Sequence, residues 1–155
     1  MPMLKLSQLT HPQLIKDLQA QTKKDALNEM VDLIGASPKI TDVAAYRRAI
    51  LSREELTSTG IGLSVAIPHA KIAEVTDYVM AIGRRLSGIE FDSLDGQPVK
   101  LIFMVGAAER QAVEFVRLLA AIVNLIKKGD VRVKLMEADS PEAIHEILKA
   151  AEAEG

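Results

Sequence analysis

Cysteine and tryptophan are absent from this 155-residue chain, and two Tyr and three Phe are its only aromatic residues besides histidine. Without cysteine there is neither a disulfide nor a thiolate metal site, which fits a reducing compartment. With so few aromatic residues, the 48% hydrophobic share must come from Leu, Ile, Val, Ala and Met. Such a composition suits the core of a compact α/β protein. Neither sign of charge is in excess. Nineteen basic against twenty-one acidic residues leave a formal charge of -2, which offers no general attraction for nucleic acid or an anionic membrane. No apolar run approaches the roughly 20 residues that span a bilayer, and the opening Met1-Pro2-Met3-Leu4-Lys5 lacks a signal peptide's apolar stretch. The expectation is one soluble, cytoplasmic domain over residues 1–155, with no nucleic-acid partner and no membrane insertion. A chain of this length should bury roughly two-thirds of its unfolded surface.

What is present is punctuated clearly. Thr22 is a good N-cap with Asp25 at the capping-box position, and Ala26, Leu27, Met30, Val31, Leu33 and Ile34 form a 3.6-residue stripe closed by Gly35. Thr41 or Asp42 can cap a second helix, with Val43, Tyr46, Ala49, Ile50 and Leu51 inward. From Ala112 to Ile126 the spacing of Val113, Val116, Leu119, Ala120, Val123 and Ile126 is helical. Phe115, Leu118, Ile122 and Leu125 widen that apolar face enough to predict burial on two sides. Ser140 and Pro141 mark another helix start. Short apolar runs predict strands at Val65–Ile67, Tyr78–Arg84 and Val99–Val105, with turns at Gly88 and Asp95-Gly96. Leu4 to Leu9 alternates like an edge strand or an extended arm. Leu14, Ile15 and Leu18 form a short apolar patch. Val131 to Met136 alternates like a strand, so that periodicity leaves strand and helix open. Together these elements predict an α/β fold with a mixed central β-sheet flanked by helices. His11 reads as an exposed turn residue and His145 as a surface or partly buried helix residue.

The chemistry-bearing stretch is Ser58-Thr59-Gly60-Ile61-Gly62-Leu63-Ser64-Val65-Ala66-Ile67-Pro68-His69-Ala70. Its glycines allow positive φ or close approach of another group. Pro68 ends a strand ladder, because it has no N–H, and so leaves His69 at a strand end. Metal binding is not expected: no second His or Cys lies nearby, and the carboxylates close in sequence are Glu54, Glu55, Glu74 and Asp77. Ser58 or Ser64 could pair with the imidazole, but nothing resembles a nucleophile elbow. His69 is then either a nucleophile that transiently carries a group, with N–H groups around Gly60 and Gly62 forming an anion nest, or a structural histidine on a tight turn. Arg53 ends the helix that leads into this loop. It either holds phosphate oxygens bidentately or bridges to Glu54 or Glu55. Lys71 is a second phosphate-facing cation or a solvated turn residue. No Walker-type loop or magnesium-holding constellation is present, so neither ATP nor a cofactor is expected to take part.

The run Ser52-Arg53-Glu54-Glu55-Leu56-Thr57-Ser58-Thr59-Gly60-Ile61-Gly62, followed by Val65-Ala66-Ile67-Pro68-His69-Ala70-Lys71, resembles the active-site signature of the fructose–mannitol type of enzyme IIA. These are domains of the phosphoenolpyruvate-dependent sugar phosphotransferase system, and the stand-alone nitrogen-regulatory branch is the nearest in pattern. The likeness continues through Phe91-Asp92-Ser93-Leu94-Asp95-Gly96-Gln97-Pro98-Val99 and into the tail around Ser140-Pro141-Glu142. It implies a helix at Val131–Met136. It also implies that His69 accepts phosphate from the phosphocarrier HPr or its nitrogen-branch counterpart, with Arg53 beside the site and Gly60, Gly62 and Lys71 around the phosphate.

The chain departs from the family pattern in three places. A second histidine, near the start of the long helix, is replaced by Phe115, which should then lie within reach of His69. The Asn-Gly that often follows the Thr-Gly-Ile-Gly run is Leu63-Ser64. The loop Ala107 to Gln111 lacks a proline. The resemblance implies a phosphocarrier or regulatory protein that signals through protein partners, docking by a modest apolar surface around Ile61–Ser64. Two alternatives stand beside it. One is a sugar-uptake component passing phosphate to an enzyme IIB, and the other is an unphosphorylated binding module with a degenerate site. The chain's length and its lack of a membrane segment favour regulation over an integrated permease.

Overall fold

The computed structural model describes residues 5–154. Its centre is β6 (Val99–Ala108), apolar apart from Lys100 and buried on both faces. Leu101, Phe103, Val105 and Ala107 point to one layer of helices, whereas Ile102 and Met104 point to the other. This period-2 division explains why the run reads as continuously apolar rather than alternating. β5 (Val79–Ile89) pairs antiparallel to β6 and splits in the same way, with Met80 and Ile82 on the first face and Val79 and Ala81 on the second. β1 (Ile15–Asp17) lies parallel to β5 on its outer side. On the other edge of β6 run the short β3 (Val65–Ala66) and β4 (His69–Ile72), both parallel to it, and β2 (Gly60–Gly62) pairs antiparallel with β3. The result is a mixed six-stranded sheet in the order β1-β5-β6-β3-β2, with β4 also on β6.

Helices cover both faces, as the sequence predicts. α1 (Lys23–Ile34) starts at Thr22, whose hydroxyl accepts the Asp25 N–H at 3.2 Å, and α2 (Val43–Leu56) starts at Asp42, which accepts from Ala45 at 3.0 Å. Both pack on the Ile102 side. α3 (Ala112–Ile126), α4 (Gly129–Glu137) and α5 (Pro141–Glu154) belong to the other layer. The 131–136 segment is helical, as the family resemblance implies and strict alternation does not: Val131 and Leu135, one helical turn apart, are the residues it buries.

Several expectations need correction. The first segment is neither strand nor arm over its described part, since Leu6–Gln8 forms a 3₁₀ turn. Glu152 of α5 accepts the N–H groups of Leu6 and Ser7, and His145 Nε2 lies 2.8 Å from the Ser7 carbonyl. Leu4 falls outside the described residues. The Leu14–Leu18 patch contains β1, a strand too short to show a period. Gly88 does not end a strand: with φ of 82° it lies inside β5, at an irregularity between Arg84 and Ile89.

Arg84 of β5 ties the sheet to the end of α4. Its Nε and Nη2 donate to the two oxygens of Asp17 at 2.6 and 3.0 Å. Its Nη1 donates to the carbonyls of Leu135, Met136 and Ala138 at 2.9, 3.2 and 2.6 Å. Helix C-terminal carbonyls have no partner within the helix, and here one buried guanidinium serves those at the end of α4. Arg84→Met should therefore leave these carbonyls unpaired and cost about 3 kcal/mol, read from urea midpoints. Asp17→Asn should cost less, since Asp17 is 66% exposed.

The β2–β3 hairpin carries strain that can be released. Leu63 and Ser64 have φ of 59° and 62°, so both central residues of this two-residue turn are left-handed. Such a turn favours Asn-Gly. The double change Leu63→Asn, Ser64→Gly should raise unfolding free energy by about 1–2 kcal/mol in the same assay.

Candidate functional site

β3 and β4 are one strand interrupted by Ile67-Pro68. Val65 and Ala66 lie opposite Leu101 and Ile102, and the ladder resumes with His69 opposite Val105. β2 accompanies only the first half. On the β2 side the pairing closest to His69 is the bond from the Ile67 N–H to the Thr59 carbonyl, at 3.0 Å, and β4 pairs with β6 alone. The pleat then decides directions. His69 and Lys71 share a face with Val105 and Ala107, toward the α3 layer, while Ala70 and Ile72 join the core under α1 and α2.

Two contacts orient the imidazole. Nδ1 lies 2.7 Å from the Ile67 carbonyl oxygen. A carbonyl can only accept, so Nδ1 carries the hydrogen and the lone pair of the neutral ring is on Nε2. Phe115 meets the ring edge-on, with centroids 5.5 Å apart and planes at 64°. The expected contact between these two residues is therefore present. Phe115 is buried, in the first turn of α3, and its placement depends on the residues just before that helix. Gln111 receives the Ala108 N–H at 2.8 Å and donates to Asp77 at 2.7 Å, while its carbonyl accepts from the Tyr78 hydroxyl at 3.1 Å. The hydrogen bond from Gln111, aided by the Tyr78 amide and the charges of Lys39 and Arg110, holds the Asp77 carboxyl below its ordinary range, although partial burial opposes this.

Arg53 lies in the last turn of α2, the helix packed on β4, and donates to the Thr57 carbonyl at 3.1 Å. The alternative ion pair with Glu54 or Glu55 is not formed. Glu54 is buried, paired with Lys23 at 3.0 Å, and accepts both the N–H and the hydroxyl of Thr59 at 2.9 and 2.8 Å. This buried clamp, which sequence reading missed, fixes where the chain leaves α2. Its only sequence signal is the five-residue spacing of Glu54 and Thr59. Lys71 sits in β4 rather than in a turn. Among the described residues, neither Arg53 nor Lys71 has a carboxylate partner.

The two glycines are employed differently from the anion nest expected of them. The Gly60 N–H is taken by Ser58 Oγ at 3.1 Å, and that hydroxyl donates to the Phe91 carbonyl. A Cβ at Gly60 would overlap Ser93 Oγ and lie 3.1 Å from Ser93 Cα, so this glycine admits the 93–95 loop. Gly62 has φ of +93° and pairs with Val65, four residues and roughly 13 Å of extended chain from His69. Thr59, by contrast, pairs through its carbonyl with the N–H of Ile67, two residues from His69.

Sequence and fold comparisons place the chain in a family. Residues 8–151 match the family model for the phosphoenolpyruvate-dependent sugar phosphotransferase system, EIIA 2. The chain belongs to this enzyme IIA family. It is 38% identical over 146 residues to the fructose-specific EIIABC component of Bacillus subtilis, covering 94% of this chain but only 23% of that much longer protein. It is 34% identical to the fructose-specific EIIA component of Haloferax volcanii, over 82% of each chain. The nitrogen regulatory protein IIA-Ntr of Neisseria meningitidis superposes with a TM-score of 0.85 at 29% identity, covering 92% of this chain and 97% of the other. Sequence kinship thus reaches both the fructose and the nitrogen-regulatory branches of enzyme IIA.

Within this enzyme IIA, α3 departs from the expected burial on two sides. Phe115, Leu118, Ile122 and Leu125 are buried, but Val113 and Val116 are 72% and 67% exposed. The lowered Asp77 carboxyl makes acid sensitivity at the start of α3 an expectation. Because the folded Asp77 carboxyl lies below its ordinary value, its contribution is complete above about pH 4 and is lost as pH falls through the lowered value. Urea midpoints of the native chain should therefore fall more steeply as pH drops below about 4 than those of Asp77→Asn.

Proposed function

We propose that this chain is a cytoplasmic phosphocarrier whose His69 Nε2 accepts a phosphoryl group from a phosphohistidine donor, HPr or its nitrogen-branch counterpart, and that it then signals through protein partners. The observation that carries this is the 2.7 Å bond between Nδ1 and the Ile67 carbonyl, which leaves Nε2 as the nucleophilic nitrogen of a half-buried ring. A phosphorus–nitrogen bond on the donor is already activated. The acceptor then needs only an oriented lone pair, in-line access and cations for the equatorial oxygens. Arg53, without a carboxylate partner among the described residues, supplies a guanidinium, and Lys71 a second cation. Gly60 and Gly62 act indirectly, by shaping the loop after α2.

A second reading is favoured by the fructose-specific relatives: onward transfer to an enzyme IIB domain in sugar uptake. Phe115 provides no hydrogen bond to a phosphoryl group, so transfer should be slower than in a site with a polar residue there. Incubation with phosphoenolpyruvate, enzyme I and HPr or its counterpart, followed by intact-mass analysis without acid, tests the proposal. One added phosphoryl group is expected, absent in His69→Ala and formed roughly 10–100-fold more slowly in Arg53→Ala, the value of one charge-assisted hydrogen bond. Phe115→His should accelerate labelling about tenfold by restoring a donor. Discharge by a fructose-type IIB domain would support the uptake role. No labelling by any donor would leave a binding module with a degenerate site.

A further inference from the structure

We infer that the Ile67 carbonyl keeps the Nδ1 proton on His69 throughout the phosphorylated state, so that the chain carries its phosphoryl group on a protonated ring. This rests on the acceptor role proposed above and concerns the chemical form of the product.

When the Nε2 lone pair attacks phosphorus, a new P–N bond forms. The donor's P–N bond breaks, and its electron pair returns to the donor nitrogen. His69 is left as a phosphoimidazolium still bearing its Nδ1 hydrogen. In an exposed ring this proton passes readily to water. Here its loss would set two lone pairs against each other, those of Nδ1 and of the Ile67 oxygen, in a contact now 2.7 Å long. Ile67 is 4% exposed, so water has little room to replace the lost bond. A polar group stripped of its partner in such a position is strongly disfavoured.

Among the groups placed around the ring, this carbonyl is the one that accepts its Nδ1 hydrogen. Lys71 shares the strand face of His69, and Arg53 ends the helix packed on β4. Both are cations. β6 opposes the ring with Val105, and α3 meets it with Phe115. The phosphoryl oxygens, once attached, add the negative charge that offsets these cations.

A retained proton makes the imidazole a good leaving group. On onward transfer the Nε2–P bond breaks, its electron pair returns to Nε2, and the neutral ring with hydrogen on Nδ1 is regenerated. No proton moves in either direction. The side of the ring occupied by Phe115 therefore needs no acid or base, and an apolar residue there is compatible with reversible carriage.

The test uses the full chain labelled with ¹⁵N in its histidines and phosphorylated in two ways. One is by the phosphohistidine donor protein, and the other by phosphoramidate, which releases ammonia and needs no docking. Proton–nitrogen spectra should show phosphorus coupling on His69 Nε2 and a directly bonded hydrogen on Nδ1. That hydrogen should persist at alkaline pH, where the phosphohistidine of a short peptide spanning residues 65–73 has lost it. The hydrolysis rate of the folded phosphoprotein should change less than about twofold across a pH unit in which the peptide's changes on the order of tenfold. Coupling on Nε2 with a bare Nδ1 would overturn the inference and leave the acceptor role standing. Coupling on Nδ1 would overturn both, as would the absence of His69 labelling from either donor.

Discussion

The break at Ile67-Pro68 in the strand beside β6 is the constraint on which the site depends. β6 is paired along both edges, to β5 on one side and to β3 and β4 on the other. Pro68 has no N–H to give to β6, although its carbonyl still accepts the Val105 N–H at 2.9 Å. On the opposite side the last bond toward β2 runs from the Ile67 N–H to the Thr59 carbonyl. The Ile67 carbonyl is then directed to the side chain two residues on. The end of β2 pairing at Ile67 therefore leaves that residue's carbonyl to the imidazole, and the carbonyl sets the tautomer of His69.

Charge is distributed around that break with a consistent logic. Acidic groups near the site are engaged elsewhere: Glu54 is turned inward to Lys23 and Thr59, and Asp77 is held by Gln111 and the Tyr78 amide. Arg53 and Lys71 are left without carboxylate partners among the described residues. Where a cation is needed for architecture, as at Arg84, it is saturated by a carboxylate and three carbonyls. A guanidinium without a carboxylate partner has donors in hand for an anion, whereas a saturated one serves only the fold.

α3 joins the interior to the surface. Its buried face completes the core and brings Phe115 to His69, and its other face exposes Val113 and Val116 in the same first turns. The double-sided apolar pattern that predicts two-sided burial is thus met on one side by this chain's own sheet. The hairpin tip at Leu63, by contrast, lies toward the start of β6, where Lys100 donates to the Ser64 carbonyl. An apolar residue at the tip is therefore remote from the imidazole, although the two are close in sequence.

Local chemistry made much of this protein readable in one dimension. Thr22, Asp42 and Ser140 cap their helices because a short oxygen at that position satisfies amide groups that the helix cannot. Val99–Val105 is a central strand because only a run covered on both faces tolerates so little polarity. The motif from Arg53 to Lys71 made the local backbone readable, since proline, glycine and histidine constrain it within a few residues of themselves. What the sequence could not determine was where each polar group finds its partner. The Glu54–Thr59 clamp, the reach of Arg84 to α4 and the edge-on meeting of Phe115 with His69 depend on distances between elements far apart in the chain. So does the assignment of Gly60 and Gly62 to loop packing rather than to an anion nest, because strand register decides which end of a hairpin lies beside the imidazole. Register is a property of paired strands, and a single strand carries no record of it beyond which of its faces is apolar.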